Sequence, residues 1–375
     1  MNILLVLLFV LGCFLFTQIE RKYVIPYLNW GFIMFFCLLL ANRSMDVPDT
    51  DAYYAHFVTT TLTFDDFGDF YFETGFQIFV KMMKVISQGN FVLYLGLVTL
   101  TNLLIVNFSI NLLGKLFRAE QEKNVLESTL VDYNGFFRNP YFAILPLTLY
   151  IAFFGIYLNA IVLRVGITLS LIVFASCFAI KEKKGLFDYL FIFFPIVLGY
   201  YFHSTSLIGI LIVVLLSLKV KFEKRTYLII WFLIGLVYFT NFSAWLGNSV
   251  FSFMLSLNEL TILATKLSSY DGNVVQELQG VSMKFVFFWT MGLLLILENV
   301  KSEIYNKYLN VYLTGLVLFA LFRSVLLIER VTDYFLLFSF VIFYLYLIIQ
   351  KPHRFWLIYI FLIGTQLVFV LRITK

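Results

Sequence analysis

Apolar stretches of membrane-crossing length follow one another along nearly the whole chain, and this limits the fold more than any motif does. A helix crosses a bilayer with about 20 mostly apolar residues. The pattern predicts about twelve spans, at 2–19, 25–41, 91–113, 140–159, 161–180, 186–202, 204–218, 226–245, 284–298, 308–327, 332–349 and 355–371. Segment 186–218 reads equally as one broken helix or a pair. Composition agrees: 61% of residues are hydrophobic and 13% charged, with mean hydropathy +0.92. A soluble domain carries about a quarter charged residues. The expected fold class is therefore all-α: a polytopic membrane protein forming one integral membrane domain over 1–375. The 46 Phe and 23 Tyr fit lipid-facing rings and interfacial belts.

The loops set an orientation. Basic residues gather at Arg21/Lys22, Lys115/Arg118/Lys123, Lys181/Lys183/Lys184, Lys219/Lys221/Lys224/Arg225, Lys301/Lys307 and Lys351/Arg354. These fall on alternate loops, so one side can hold them all, and the positive-inside rule makes that side cytoplasmic. Loops 114–138, 181–185 and 219–225 are then cytoplasmic, and both termini lie outside. The first segment lacks a basic leader and a small-residue cleavage site, so it reads as a retained helix. Residues 70–88 are amphipathic and carry Glu73, Lys81 and Lys84. If they spanned, every later loop would invert, so they are expected to form a re-entrant or interfacial helix on the outer face.

Two larger outer loops, about 42–90 and 246–283, hold the unusual polar residues. The first carries six Asp before the amphipathic segment: Asp46, Asp49, Asp51, Asp65, Asp66 and Asp69. Asp49 and Asp51 follow Pro48 and precede Tyr53-Tyr54, which favours them over the last three, read as a solvated loop. A carboxylate here could deprotonate a hydroxyl, or two could hold a divalent cation. Glu73 opens the amphipathic helix and could point into a cleft. The second loop contains Tyr270 and Asp271 in SSYDGN.

Four basic positions stand out. Arg164 lies between two apolar stretches, where an arginine snorkels to headgroups or faces a wet cavity or an anion. His203 sits at a helix junction beside Ser204, Thr205 and Ser206. It reads as a hydrogen-bonded helix-end residue or as a general base. Arg323 and Arg330 lie near an outer helix end, where guanidinium forks suit phosphate oxygens. The alternative is an ion pair of Arg330 with Glu329 or Asp333, the latter sharing its helix face.

Absences bound the chemistry. Cys13, Cys37 and Cys177 lie inside apolar runs without paired spacing, giving neither a disulfide framework nor a zinc pattern. No phosphate-binding Gly loop, cytoplasmic DxD pair or H-E-x-x-H occurs. Neither cofactor nor metal is expected, and the net charge of +5, spread over short loops, does not suit nucleic acid.

The order of short motifs resembles the EpsG-like family. It runs Arg-x2-Asp-x2-Asp-x-Asp-x-Tyr (Arg43, Asp46, Asp49, Asp51, Tyr53), then E-x-G-F (Glu73, Gly75, Phe76) and a span-opening Leu163-Arg164. FHSTSL (Phe202 to Leu207) and Arg330-x3-Tyr334-Phe335 complete it. This family is similar in role to Wzy-type polymerases of bacterial surface polysaccharide, whether O-antigen, capsule or exopolysaccharide. The resemblance implies a multi-pass protein of the bacterial inner or plasma membrane with an outward-facing site. There it would join oligosaccharide repeat units linked to undecaprenyl diphosphate, both as donor and as acceptor. A flippase and a chain-length regulator are the implied partners besides membrane lipid. On this reading His203, Asp51 or Glu73 activates the acceptor hydroxyl. Arg164, Arg330, Arg323 and Arg43 bind the diphosphate, and Asp49, Tyr53, Tyr270 and Asp271 border the sugar. A flippase of lipid-linked sugars is the first rival. It would show repeats and midplane charges, whereas the charges here fall at outer helix ends and no repeat is visible. A membrane acyltransferase, the second rival, would place polar residues near the inner face.

Overall fold

The computed structural model describes residues 25–62, 72–127, 144–240, parts of 242–249, 281–298, 300, 302–323, 326–350 and 352–373. Among these, every regular element is helical. The expected span 2–19, the acidic residues Asp65, Asp66 and Asp69, and Tyr270 and Asp271 lie outside the described residues.

The chain divides into two compact units, Met1–Ser217 with Phe343–Lys375, and Leu218–Ile342. In the first, α1 (Ile25–Ala41) is followed by two short helices, α2 (Thr50–Thr59) and α3 (Thr74–Ile86). The long α4 (Phe91–Glu127) comes next, then α5 (Ile144–Tyr150), a π-helical turn (Ile151–Gly155) and α6 (Ile156–Ala160). After these come α7 (Leu163–Ala179), α8 (Leu186–Phe202), a 3-10 turn (Ser204–Leu207) and α9 (Ile208–Ser217). The second unit holds α10 (Lys224–Phe239), α11 (Met283–Leu297), α12 (Glu303–Leu321) and α13 (Leu326–Leu336). The unit boundary falls within α14 (Ser339–Ile348), and α15 (Pro352–Ile373) belongs to the first unit.

Two expectations are corrected and one open alternative is resolved. Residues 114–127, read as the start of a loop, continue α4, because the Lys115–Glu127 stretch has no helix breaker to end it. Residues 50–59, read as loop, form α2, whose buried face is Thr50, Tyr53, His56 and Phe57. Segment 186–218 is a pair of helices: α8 ends at Phe202, His203 is extended (φ −163°, ψ 124°), and the 3-10 turn restarts the chain.

Among the described residues, two stretches can cross a membrane by length and composition, Phe91–Gln121 and Val331–Ile348, and several shorter apolar helices run 10–17 residues. Large apolar side chains also cover the outside of the first unit. Leu186 and Phe187 are 84% and 73% exposed, and Phe193, Phe194, Val197 and Tyr201 continue the strip along α8. A continuous apolar surface of this kind suits lipid better than water.

The site is built on one core cluster. Ala41, Tyr53, Phe57, Phe72, Phe76, Val80, Tyr94, Leu95, Val98, Leu163, Ile167 and Phe202 pack together, joining α1–α4, α7 and α8. Within it the short pair α2–α3 is pinned by Lys84 of α3. Its ammonium donates to the carbonyls of Phe57 (2.7 Å), Val58 (3.0 Å) and Thr60 (2.8 Å). These are orphan acceptors at the end of α2, and a cation is favoured there.

Candidate functional site

Three helix ends converge in the first unit. Glu73 is the residue before α3, Arg164 lies in the first turn of α7, and His203 caps the C-terminus of α8. A carboxylate at a helix N-terminus and an imidazole at a C-terminus suit the local dipoles, whereas a guanidinium in a first turn does not. Arg164 therefore needs an anion, and Glu73 supplies it.

The Glu73 carboxylate bridges the other two. Arg164 Nη1 donates to Oε2 at 2.6 Å, and His203 Nδ1 lies 2.9 Å from Oε1. All three side chains are 20–26% exposed. Burial alone would raise the Glu73 pKa. The hydrogen bond from His203 and the charge of Arg164 more than offset it, holding the group at about 2. An ionised carboxylate only accepts, so the proton belongs on Nδ1 and the lone pair of a neutral ring on Nε2.

The surrounding residues fix this geometry. The Phe72 ring lies 4.6 Å from the Arg164 guanidinium and 4.2 Å from the His56 ring. Gln77 Nε2 holds the Phe72 carbonyl at 2.6 Å. Gly75 allows the start of α3 to abut the end of α8: a Cβ there would stand 2.6 Å from the backbone oxygen of Tyr201. Thus E-x-G-F joins a bridging carboxylate, a close backbone approach and a wholly buried anchor, Phe76. On α7, the Thr168 hydroxyl donates to the carbonyls of Arg164 and Gly199, tying α7 to α8.

A second polar layer adjoins the first through Tyr53. The Tyr53 hydroxyl is hydrogen-bonded to Arg164, and burial raises its pKa, with Arg164 opposing and Asp49 adding to the rise. Beside it, Arg43 Nε donates to Thr50 Oγ1 at 3.0 Å and Nη1 to the Asn159 carbonyl at 2.9 Å. Asn102 Nδ2 donates to Asn159 Oδ1 at 3.0 Å, and Asn159 Nδ2 to the Gly155 carbonyl in the π turn. Burial draws Arg43 down to about 10, with Tyr53 and Tyr94 opposing.

The structure thus brings Glu73, Arg164, His203, Tyr53 and Arg43 into one network. Asp49 borders it in a left-handed backbone conformation (φ 63°). Asp51 does not join: it is exposed on α2, and its Oδ1 accepts from the Ala52 amide. In the second unit, Arg323 lies 4.4 Å from the Tyr238 ring centre, and its Nη1 donates to the Tyr238 carbonyl at 3.1 Å. Asp333, one of the two carboxylates offered as an alternative partner for Arg330, receives Lys284 Nζ at 2.6 Å. The Arg330 side chain lies outside the described residues. Sequence reasoning missed Asn102, Asn159 and Lys284. The signal for the two asparagines was a lone amide in an apolar run, which needs a partner in lipid. Among the described residues, no three His, Cys, Asp or Glu side chains gather to hold a metal ion.

No curated protein and no solved structure matches the chain. A profile of the EpsG family matches residues 27–375, a span that contains every residue of the Glu73 network. With its apolar helices, that match points to an exopolysaccharide-related membrane protein, and the chain belongs to the EpsG family.

Proposed function

We propose that the protein is a polysaccharide polymerase, a glycosyltransferase that joins undecaprenyl-diphosphate-linked repeat units at the outer face of a bacterial membrane. The observation that carries the reading is the Glu73 carboxylate held between Arg164 and His203. A carboxylate that fixes one imidazole nitrogen leaves the other as a base of defined direction, the logic of oriented His–carboxylate pairs. In this reading the acceptor hydroxyl gives its proton to His203 Nε2, and its oxygen attacks the anomeric carbon of the donor. The bond from that carbon to the phosphate oxygen breaks, and undecaprenyl diphosphate leaves with the electron pair. The proton on His203 then passes to solvent or to the leaving group. Glu73 stabilises the transient imidazolium, and nearby guanidinium charge answers the charge developing on the diphosphate. No nucleotide is needed, because the sugar–diphosphate bond supplies the driving force.

The topology belongs to the same proposal: a multi-pass chain with α2, α3 and the Glu73 network outward. The alternation of basic loops supports it, as does the exposed apolar strip on α8. Deletion of the gene in its host, followed by a gel of surface polysaccharide, is the test. The reading expects the ladder of chain lengths to collapse to single repeats and to return with the wild-type gene. An unchanged ladder would end it.

A further inference from the structure

Among the described residues, Arg43 is the cation in the network that no carboxylate answers. Arg164 is neutralised by Glu73, but Arg43 meets only a hydroxyl, a backbone carbonyl and neighbouring phenols that are neutral at physiological pH. Its third nitrogen, Nη2, is buried and has no hydrogen-bond partner among the described residues. A buried donor left unmade is costly, more so when charged, and calls for an acceptor from outside the fold. Nε and Nη1 are held by Thr50 and Asn159, so the planar guanidinium is fixed with Nη2 as its spare donor.

We infer that Arg43 Nη2 is the anion anchor of the site, receiving an oxygen of a phosphate-bearing ligand, while Arg164 serves as a positioning residue for Glu73 and His203. The ligand class deepens the polymerase reading and rests on it for one point, that the phosphate belongs to a polyprenyl diphosphate. One guanidinium–phosphate hydrogen bond of this kind corresponds to about ten- to hundredfold in affinity.

Binding to the purified full-length protein in detergent tests the anchor, with inorganic diphosphate, geranylgeranyl diphosphate and the alcohol geranylgeraniol as probes. Arg43→Met should weaken both diphosphates by about ten- to hundredfold. Arg43→Lys, which keeps the charge but loses the fork, guards against misfolding of the Met variant and should weaken both severalfold. Arg164→Lys should alter diphosphate binding far less than Arg43→Met. A preference for the prenyl diphosphate over the inorganic ion assigns the anchor to a lipid headgroup, and equal binding assigns it to phosphate of either source. Folded Arg43 variants that bind both diphosphates like wild type would overturn the anchor. So would geranylgeraniol binding as tightly as its diphosphate, or a wild-type protein that binds neither anion. The assay needs no polymerisation, so Arg43-dependent binding in a protein whose deletion leaves the ladder intact would overturn the polymerase reading alone.

Discussion

Glu73 Oε1 and His203 Nδ1 lie 2.9 Å apart although 130 positions separate the two residues in the chain. The contact joins two residues read as rival bases into one unit, and in the proposed mechanism the carboxylate positions the imidazole, which acts as the base.

Replacing His203 separates the chemical role from the structural one. In His203→Gln the side-chain amide can still donate to Glu73 but cannot take a proton. The protein should remain folded and inserted, yet lose polymerisation on the order of 10²–10⁴-fold, the range for a missing general base. Chain-length ladders from complemented deletion cells read this directly. Normal ladders with His203→Gln would remove His203 from the chemistry.

Glu73 gives a pH signature. Its folded pKa, about 2, lies below the ordinary carboxylate value of 4.5. Its stabilisation is therefore fully present above about pH 4.5 and is lost as pH falls from there toward 2. Thermal melts of wild type and Glu73→Gln should differ at neutral pH and converge across that acid window. A constant gap down to pH 2 would contradict the ionised bridge.

Gly75→Ala probes the close approach of α3 to α8. The added Cβ meets backbone at 2.6 Å, so a helix must shift rather than a side chain turn. The expected cost is about 1–3 kcal/mol, with polymerisation falling as Glu73 moves off His203. Unchanged melting and unchanged ladders would mean that the two helix ends stand further apart.

Lys84→Met removes the cation that binds three carbonyls at the end of α2. Hydrogen exchange at residues 57–62 should quicken, and stability should fall by about 1–3 kcal/mol. Exchange at α7 should be unaffected. Equal protection of 57–62 in both proteins would show that α2 ends without help from Lys84.

Orientation is checked by single cysteines in a protein without its native ones. Thr60→Cys should react with an impermeant thiol reagent in intact cells, and Lys183→Cys only after permeabilisation. The reverse pattern would invert the topology.

Much of the site was legible because of contrast with lipid. Arg164 and His203 are polar residues at the edges of apolar runs, and Glu73 opens an amphipathic segment, so each could be singled out alone. Their pairing could not, since the contacts span 91 and 130 positions and no periodicity encodes them. Asp51 shows the converse. Its chemistry recommended it, but the face it takes depends on α2, a helix hidden in a stretch read as loop. The pairing of Asp333 with Lys284 has the same origin: a helical neighbour three residues away is visible in sequence, a partner on another helix is not. The π turn at Ile151–Gly155 was invisible for a different reason, because uniformly apolar residues carry no phase.

That wide turn sets the rotational phase of α6. One residue advances a helix by about 100°, and a π turn accommodates one residue more than an α turn does. Asn159, which accepts from both Arg43 and Asn102, lies four residues beyond Gly155. Winding 151–155 as a regular α-helix with no residue removed would swing Asn159 by about a quarter turn, leaving the guanidinium without its brace, whereas trimming one residue would let a regular helix form with Asn159 still in phase. The network is thus keyed to how a surplus residue is absorbed, and in this segment an insertion should be far less tolerated than a one-residue deletion.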